Sequence, residues 1–324
     1  MKYTYILFFS FFLFLACGDK ANTTKKYKQP SVGNINTLQV VTSDRLWNDT
    51  VGDAIRRYFA SPTPGLPQDE PLFSMSQMPP EVYSGFVKTY RLFLHITLGD
   101  KDTIAIRKNP YAAPQVGAFI TATSQDKLAA LIKKNAPKIV SAFKSSEIKE
   151  RQRRTKISKL RLDSLPSALG VTLEIPSAYH IAKSASDFYW IRKELKYGNT
   201  NIIIYEVPLS TIPEEGNIIG AIIKMRDSVG IKQLPVEDEG QFVTEEAYAP
   251  YIKTTLVDTR FAYETKGTWE IKNQWMAGPF VNYAIRDVKN SRYLILEGFT
   301  YAPRVAKRDL QLELESILKS VRIK

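Results

Sequence analysis

The spacing of apolar positions changes repeatedly along this chain, and each change predicts a switch between strand and helix. Residues 38–42 are rich in valine, leucine and threonine, which favours a strand. Asp49 or Thr50 can cap a helix that ends near residue 58, because apolar side chains recur at helical spacing over 51–59. Further strands of the first half are predicted at 86–98, 103–107 and 115–121.

Prolines shape two other parts of the first half. Residues 61–80 contain six prolines, so they are predicted to form an ordered or semi-rigid loop rather than a helix or a central strand. A second helix begins after Thr123 or Ser124 and continues into a basic stretch. Pro137 predicts that this helix is kinked or made of two pieces.

The second half is predicted to contain many strands and two helices. A helix at 217–226 places isoleucines on a buried face, and an amphipathic helix at 307–321 covers one face of a sheet. The fold class is therefore α+β, with two α+β halves at 38–165 and 166–324 and mainly antiparallel sheets flanked by helices. The predicted strands are 170–176, 179–182, 188–192, 201–207, 251–256, 260–269, 280–286 and 293–301.

Residues 1–17 have the pattern of a lipoprotein signal peptide. A positive Lys2 precedes an apolar run that is too short to span a bilayer but suits a signal peptide. The run ends in Ala16-Cys17-Gly18, which resembles the lipobox of bacterial lipoproteins. We therefore expect cleavage before Cys17, lipidation of its thiol, and a flexible polar tether over 18–37. An ordinary cleaved signal peptide and a retained anchor helix are the alternatives.

Lipidation at Cys17 would determine where the protein works. More than one acyl chain anchors a protein stably, so the predicted partner is a lipid bilayer. The predicted location is the cell envelope, at the outer membrane in preference to the inner one. Cys17 is the only cysteine, so the chain has no internal disulfide.

The charge of the chain, +12 with a pI near 9.5, suggests an anionic partner. Behind a lipoprotein leader, this partner would be a lipid headgroup, an anionic envelope polymer or another envelope protein, and not nucleic acid. Solubility alone is the other explanation for a lysine-rich surface. The excess is concentrated in residues 149–161, where the candidate contacts with an anionic surface are Arg151, Arg153, Arg154 and Lys156.

No familiar catalytic or cofactor signature is present in the sequence. The two histidines, His95 and His180, and one cysteine cannot form a common transition-metal site, so no metal and no cofactor are predicted. Ser141 and Lys144 have Ser-x-x-Lys spacing, but the accompanying elements of penicillin-recognising enzymes are missing. No residue is therefore assigned as catalytic.

Carboxylates are the groups in this sequence that could support an enzymatic activity. Glu264, Glu270 and Glu297 lie in predicted strands and could pair across a cleft, as the carboxylates of glycosidases do. The acidic turn at 237–239 could bind calcium, although it lacks the spacing of an EF-hand.

Aromatic side chains beside polar groups are the main candidates for ligand binding. Such faces suit sugars and peptides, and burial in the core is the alternative role. Gly278 is expected to adopt a positive φ in a turn. The candidate ligand-binding residues are Trp190, Trp269, Trp275 and Tyr301.

Longer stretches of the chain resemble a family of Bacteroidota lipoproteins that is known only as a domain of unknown function. These stretches are PTPGLPQDEPLF (62–73), YSGFVKTYR (83–91), MAGPFVNYAIRDVKNSRYLILEGFTYAP (276–303) and the closing helix. The resemblance implies a location and a phylum, but no activity. The element order of the second half is similar to the sandwich fold of the photosystem extrinsic PsbP proteins, a likeness that carries no function.

The sequence therefore supports two hypotheses. The first is a non-enzymatic, membrane-anchored envelope lipoprotein that serves as a binding or scaffolding module. The alternative is an envelope hydrolase that acts on glycan or peptide through carboxylates.

Overall fold

The computed structural model describes residues 27–324, so the predicted signal peptide and Cys17 lie outside the described residues. Short 3₁₀ segments occupy Pro80–Val82 and Gly85–Thr89. The other elements of the first half are β1 (Gln29–Pro30), β2 (Thr37–Val41), α1 (Asp44–Trp47), α2 (Thr50–Phe59), β3 (Ser74–Met78), β4 (Leu92–Leu98), β5 (Thr103–Lys108), β6 (Ala112–Ala113), β7 (Val116–Ala122) and α3 (Gln125–Thr155).

The first half contains a five-stranded sheet in the order β3-β2-β4-β7-β5. β3, β2, β4 and β7 run parallel to one another, and only β5 is antiparallel to its neighbour in this sheet. β7 is apolar on both faces and takes an inner position, whereas the more exposed β5, which ends in Arg107 and Lys108, stays at the edge. β7 therefore inserts between β4 and β5, which are consecutive along the chain.

Helices cover one face of this sheet, and their starts follow the predicted caps. The Asp49 side chain accepts from the backbone of Thr50 at the start of α2, and Ser124 accepts from Lys127 at the start of α3. α3 is one continuous helix of 31 residues with Pro137 inside it, so the two-piece alternative is wrong.

Part of the segment predicted as a tether is attached to the first half. β1 pairs in parallel with β6, and the Arg91 guanidinium donates to the carbonyl oxygens of Gly33 and Asn34 at 3.0 and 2.8 Å. Residues 29–37 therefore belong to the folded part of the chain. The flexible tether stays a prediction for residues 18–26, which the structure does not describe.

The second half is built on an eight-stranded antiparallel sheet, in the order β12-β14-β15-β16-β11-β10-β9 with β13 also paired to β14. Its elements are α4 (Leu165–Ala168), β8 (Val171–Thr172), β9 (His180–Ser184), β10 (Phe188–Leu195), β11 (Gly198–Pro208), α5 (Ile218–Gln233), β12 (Phe242–Thr244), β13 (Tyr251–Val257), β14 (Arg260–Ile271), β15 (Ala277–Asp287), β16 (Arg292–Tyr301), α6 (Arg308–Leu318) and β17 (Arg322–Ile323).

Each face of this sheet has its own apolar core. On one face, Leu294 and Leu296 pack with Leu314 of α6. On the other face, Ile203 and Ile295 belong to the core that includes Ile222 of α5. Because neighbouring residues of a strand point to opposite faces, consecutive positions of β14 and β16 serve two different environments.

The α+β class and the predominance of antiparallel pairing over the whole chain are confirmed, with the parallel sheet of the first half as the exception. Two predicted strands are too long, because 86–89 lies in a 3₁₀ helix and because, within 170–176, the strand covers Val171–Thr172, with only an isolated bridge at Pro176. None of the helices within residues 27–324 has both the length and the apolar character needed to cross a membrane.

The two halves meet through a loop and two helices. The Glu70 carboxylate accepts the backbone N–H groups of Lys307 and Arg308, at 2.7 and 2.9 Å, and so caps α6 from the Pro-rich loop. Arg151 of α3 forms an ion pair with the buried Glu313 of α6. Glu313 also accepts from Tyr179 at 2.9 Å. The junction is therefore polar and ordered by carboxylates.

Candidate functional site

An aromatic groove of about 240 Å³ opens on the face of the large sheet that carries α5. Three of the four predicted aromatic residues line it, namely Trp190, Trp269 and Tyr301. Trp275 lies outside the groove, on the turn between β14 and β15, and its side chain is fully exposed. The sheet thus brings together residues that are more than 100 positions apart in the sequence.

Trp269 forms the floor of the aromatic groove. Its ring is 2% exposed, stacks on Phe242 at 5.0 Å between centroids, and meets Phe299 edge-on at 5.8 Å. Tyr301 lies 6.3 Å from the same ring. The alternative of a core role therefore holds for Trp269, whereas Trp190 and Tyr301 remain partly exposed on the walls.

Gly278 makes room for this floor. In the β14–β15 register it lies opposite Trp269, whose indole nitrogen donates to the carbonyl oxygen of Thr300 at 3.2 Å. A Cβ on Gly278 would lie 2.0 Å from that oxygen. The prediction of a positive φ at Gly278 is wrong, because the glycines with positive φ in residues 27–324 lie elsewhere. The residue is needed for the close approach of two strands and an indole.

A chain of hydrogen bonds runs along one wall. Trp190 Nε1 donates to Asn201 Oδ1 at 2.9 Å, and Asn201 Nδ2 donates to Asn199 Oδ1 at 2.6 Å. An indole N–H can only donate, so it sets the orientation of the Asn201 amide and then of the Asn199 amide. The Asn199 amino group is the end of this chain, and within residues 27–324 it donates to no protein acceptor.

The rim of the aromatic groove is polar but nearly neutral. Arg192 pairs with Glu194 at 2.5 Å and lies 5.9 Å from the Trp190 ring. Gln274 Nε2 donates to the backbone oxygen of Glu237 at 2.8 Å and ties two rim loops together. With about 240 Å³, the groove is smaller than the roughly 300–1,000 Å³ of typical small-molecule sites, so it fits one ring or one side chain.

The basic residues at the end of α3 contact carboxylates of the protein itself. Arg151 belongs to the junction with α6, which differs from the predicted surface role. Arg153 and Arg154 share Glu150, each at 2.7 Å, and their side chains remain 58% and 39% exposed. Contact with an anionic surface stays a prediction for Arg153, Arg154 and Lys156.

The carboxylates considered for hydrolysis do not converge. Glu264 lies on the α6 face, where it accepts from Tyr283 at 3.0 Å, and Glu297 lies on the α5 face, 2.8 Å from Arg226. The sheet separates the two side chains. Burial and the neighbouring Glu245 raise the pKa of Glu270. Neither Glu245 nor Glu270 lines the aromatic groove.

The histidines and the acidic turn have other surroundings. His95 packs against the rings of Tyr83 and Phe119, and burial lowers its pKa. His180 is exposed on β9, at the edge of the sheet. In the described part of the chain, residues 27–324, the structure contains no cluster of three or more His, Cys, Asp or Glu side chains able to hold a metal ion, and this includes the turn at 237–239.

Sequence reasoning missed the amides of the groove wall. Asn199 and Asn201 are two residues apart on β11, so they share one face, and Asn201 pairs with Phe299 in register. Two asparagines on one face of a strand rich in β-branched residues could have indicated a polar wall at this position. The partner strand, and hence Trp190, could not be read from that spacing.

Two family models match the chain, and both describe domains of unknown function. DUF8532 matches residues 31–156, and DUF4837 matches residues 158–320. No curated protein matches the chain.

Among solved structures, the Ran-binding protein Mog1p of Saccharomyces cerevisiae is similar at 10% identity, covering 47% of this chain and 89% of its own, with a TM-score of 0.33. A point mutant of protein Mog1 gives 10% identity, 47% and 90% coverage, and a TM-score of 0.30. Neither likeness carries an argument about this protein. Because the DUF4837 model spans half of the chain, the protein belongs to the DUF4837 family.

Proposed function

We propose that this protein is a lipid-anchored binding module of the bacterial cell envelope, and that its aromatic groove takes one sugar ring of a larger glycan. The observation that carries the proposal is the convergence of Trp190 and Tyr301 on the outward end of an ordered amide chain. Both rings are partly exposed, as a binding surface requires.

The chemistry of the groove suits a sugar ring better than a peptide side chain. A sugar offers an apolar face of C–H groups and a rim of hydroxyls, and the groove offers aromatic faces beside amide donors. The Asn199 amino group can donate to a hydroxyl or acetamido oxygen without displacing a protein partner. The near-neutral rim favours a neutral ligand over a charged one.

The envelope part of the proposal comes from the sequence. Residues 14–18 resemble a lipobox, and longer stretches resemble Bacteroidota lipoproteins, so we place the protein at the outer membrane through acylated Cys17. The PsbP-like sandwich stays a proposal about the fold of the second half. A binding or scaffolding role is favoured over hydrolysis because Glu264 and Glu297 lie on opposite faces of the sheet.

Tryptophan fluorescence can test the groove with soluble oligomers of N-acetylglucosamine as the probe and a neutral tripeptide as the competing class. We expect saturable binding of the oligomer, and a loss of about fivefold in affinity for Trp190→Ala, since one stacked aromatic face contributes roughly 1 kcal/mol. Trp275→Ala is the matched control, because this exposed indole lies outside the groove.

Equal binding by wild type and Trp190→Ala would place any glycan site elsewhere. Saturable binding of the tripeptide alone would replace the sugar with a peptide ligand. The anchoring part fails separately if mass spectrometry of the protein from its native host finds Cys17 free of lipid.

A further inference from the structure

A cleft of about 640 Å³ lies between the two halves and is distinct from the aromatic groove. α3 of the first half forms one wall, β13 and β14 form another, and α6 lies at the base, beside the loop at 64–66. Its volume falls within the roughly 300–1,000 Å³ of small-molecule sites. The cationic side chains that line it are Lys144, Lys149, Lys253, Lys266, Arg308 and Lys319, and the carboxylates are Asp258 and Glu315.

The carboxylates at this cleft are already shared among several cations. Glu315 lies 2.8 Å from Lys266 and 2.6 Å from Lys319. Glu264, buried behind the wall, lies 3.1 Å from Lys253, 3.3 Å from Lys266 and 3.7 Å from Lys319. Three lysines therefore surround two carboxylates, which leaves one positive charge in excess.

Of the other lining charges, Lys149 increases this excess, whereas Asp258 and Arg308 are compensated by neighbouring charges. Asp258 is 3.0 Å from Arg260 and 3.2 Å from Arg322, so its charge is compensated outside the cleft. Arg308 has an exposed carboxylate partner in Asp309, at 2.8 Å. Lys149 is exposed and pairs with no carboxylate within residues 27–324.

Lys144 is the inner cation of the cleft. Its amine donates to Asn36 Oδ1 at 2.9 Å and to the Leu72 carbonyl at 2.8 Å, so one of its three N–H groups has no acceptor in the described chain. Burial, with repulsion from Arg308 and Lys266, lowers the pKa of Lys144 to about 8 despite the attraction of Glu315 and Asp309. A nearby anion would stabilise the charged form of this partly buried amine.

We propose that the cleft between the two halves binds a small multivalent anion that carries phosphate or carboxylate groups. Lys144 holds the inner end of the anion, and Lys149 and Lys253 hold it from the two opposite walls. Because these lysines belong to different halves, the bound anion also joins the halves.

Isothermal titration calorimetry of the full chain in a neutral detergent tests this site with inorganic pyrophosphate and citrate as probes, and with sodium chloride at matched ionic strength as the reference. We expect saturable binding of at least one probe. The double variant Lys149→Gln/Lys253→Gln should lose about tenfold or more in affinity, because it removes two charge-assisted contacts.

The matched control is Lys133→Gln/Lys134→Gln, which removes the same charge from exposed positions of α3 that do not line the cleft. We expect its affinity to stay within about twofold of wild type, since distant surface charges are screened. Pyrophosphate alone would indicate a phosphate ligand, and citrate alone a carboxylate ligand. The proposal is overturned if neither probe exceeds the sodium chloride reference, or if both double variants weaken binding equally. Trp190→Ala should leave anion binding unchanged.

Discussion

Two buried carboxylates of the same sheet, Glu297 and Glu264, have opposite electrostatic surroundings. Glu297 is fully buried on the α5 face, where burial raises its pKa although Arg226 and Asn282 favour the charged form. Glu264 is 1% exposed on the α6 face, and its pKa is lowered because Lys266 and other lysines outweigh burial. One sheet therefore holds one arginine between Glu297 and the more distant Asp227, at 2.8 and 3.5 Å, on one side and a lysine-rich cluster on the other.

This difference shows which charged side chains are compensated within the core and which remain available to bind a ligand. The Arg226 guanidinium lies 3.8 Å from the Phe280 ring and 2.8 Å from Glu297, so its charge is used within the core. The lysines of the α6 face border the large cleft and keep a positive excess. A buried charge that is balanced by its own neighbours indicates packing, whereas an unbalanced cluster beside a cavity is a candidate for binding.

The largest effect is expected on the α5 face. Arg226→Met should lower the free energy of unfolding by about 3–5 kcal/mol, because it leaves the Glu297 carboxylate buried without its cation. Urea unfolding followed by circular dichroism measures this change. The double variant Arg226→Met/Glu297→Met should recover most of the loss, since no charge then remains buried. A double variant no more stable than the single one would contradict this account of the pair.

The two faces should also differ in the sign of their pH dependence. The lowered pKa values of Glu264 and Glu315 stabilise the fold above their unfolded pKa of about 4.3. This stability is lost as the pH falls from about 4.3 through the lowered pKa values. The raised pKa of Glu297 has the opposite effect, because its contribution is present at low pH and lost as pH rises above about 4.3.

Glu315→Gln should therefore lower the free energy of unfolding at pH 7 by about 1.5–3 kcal/mol, the contribution of a hydrogen bond to a charged group. It should also flatten the loss of stability between about pH 5 and pH 2. Glu297→Gln should flatten the opposite trend. Urea unfolding over this pH range measures how each substitution changes the slope of the unfolding free energy against pH. Changes of the same sign in the two variants would contradict the comparison.

The smallest effect is expected at the outer edge of the lysine cluster. Lys253 pairs with Glu264 at 3.1 Å, but its side chain is 65% exposed. Lys253→Ala should change the free energy of unfolding by no more than about 1 kcal/mol, because solvent screens such a pair. Thermal unfolding measures the shift. A larger loss would show that Lys253 is part of the structural cluster, and would make it unsuitable for the anion-binding test.

Local patterns allowed most elements of the fold to be predicted. The caps at Asp49 and Ser124 and the run of late strands agree with the structure, whereas Ile222 is the one buried isoleucine on the predicted face of α5. The predicted strand at 86–98 is too long because its first residues form a 3₁₀ helix, in which Val87 packs against a small core without forming a ladder. The position of β7 between β4 and β5 depends on pairing, which the period of one strand does not contain.

The aromatic groove was predictable in part, and the cleft was not. Trp190, Trp269 and Tyr301 were identified as aromatics beside polar groups, but Trp275 had the same local pattern and lies outside. The difference is the position of each residue on the sheet. Lys144, in turn, had no sequence signal for an inner position, because its neighbours Asn36 and Leu72 come from distant segments.

By itself, the sequence determined the α+β class, the helix starts and the aromatic candidates, because caps and periodicity act over a few residues. The tertiary structure alone decided the order of the first sheet, the opposite faces of Glu264 and Glu297, and the cleft between the halves. These features depend on which distant segments meet, and one strand shifted by a single residue would exchange its two faces.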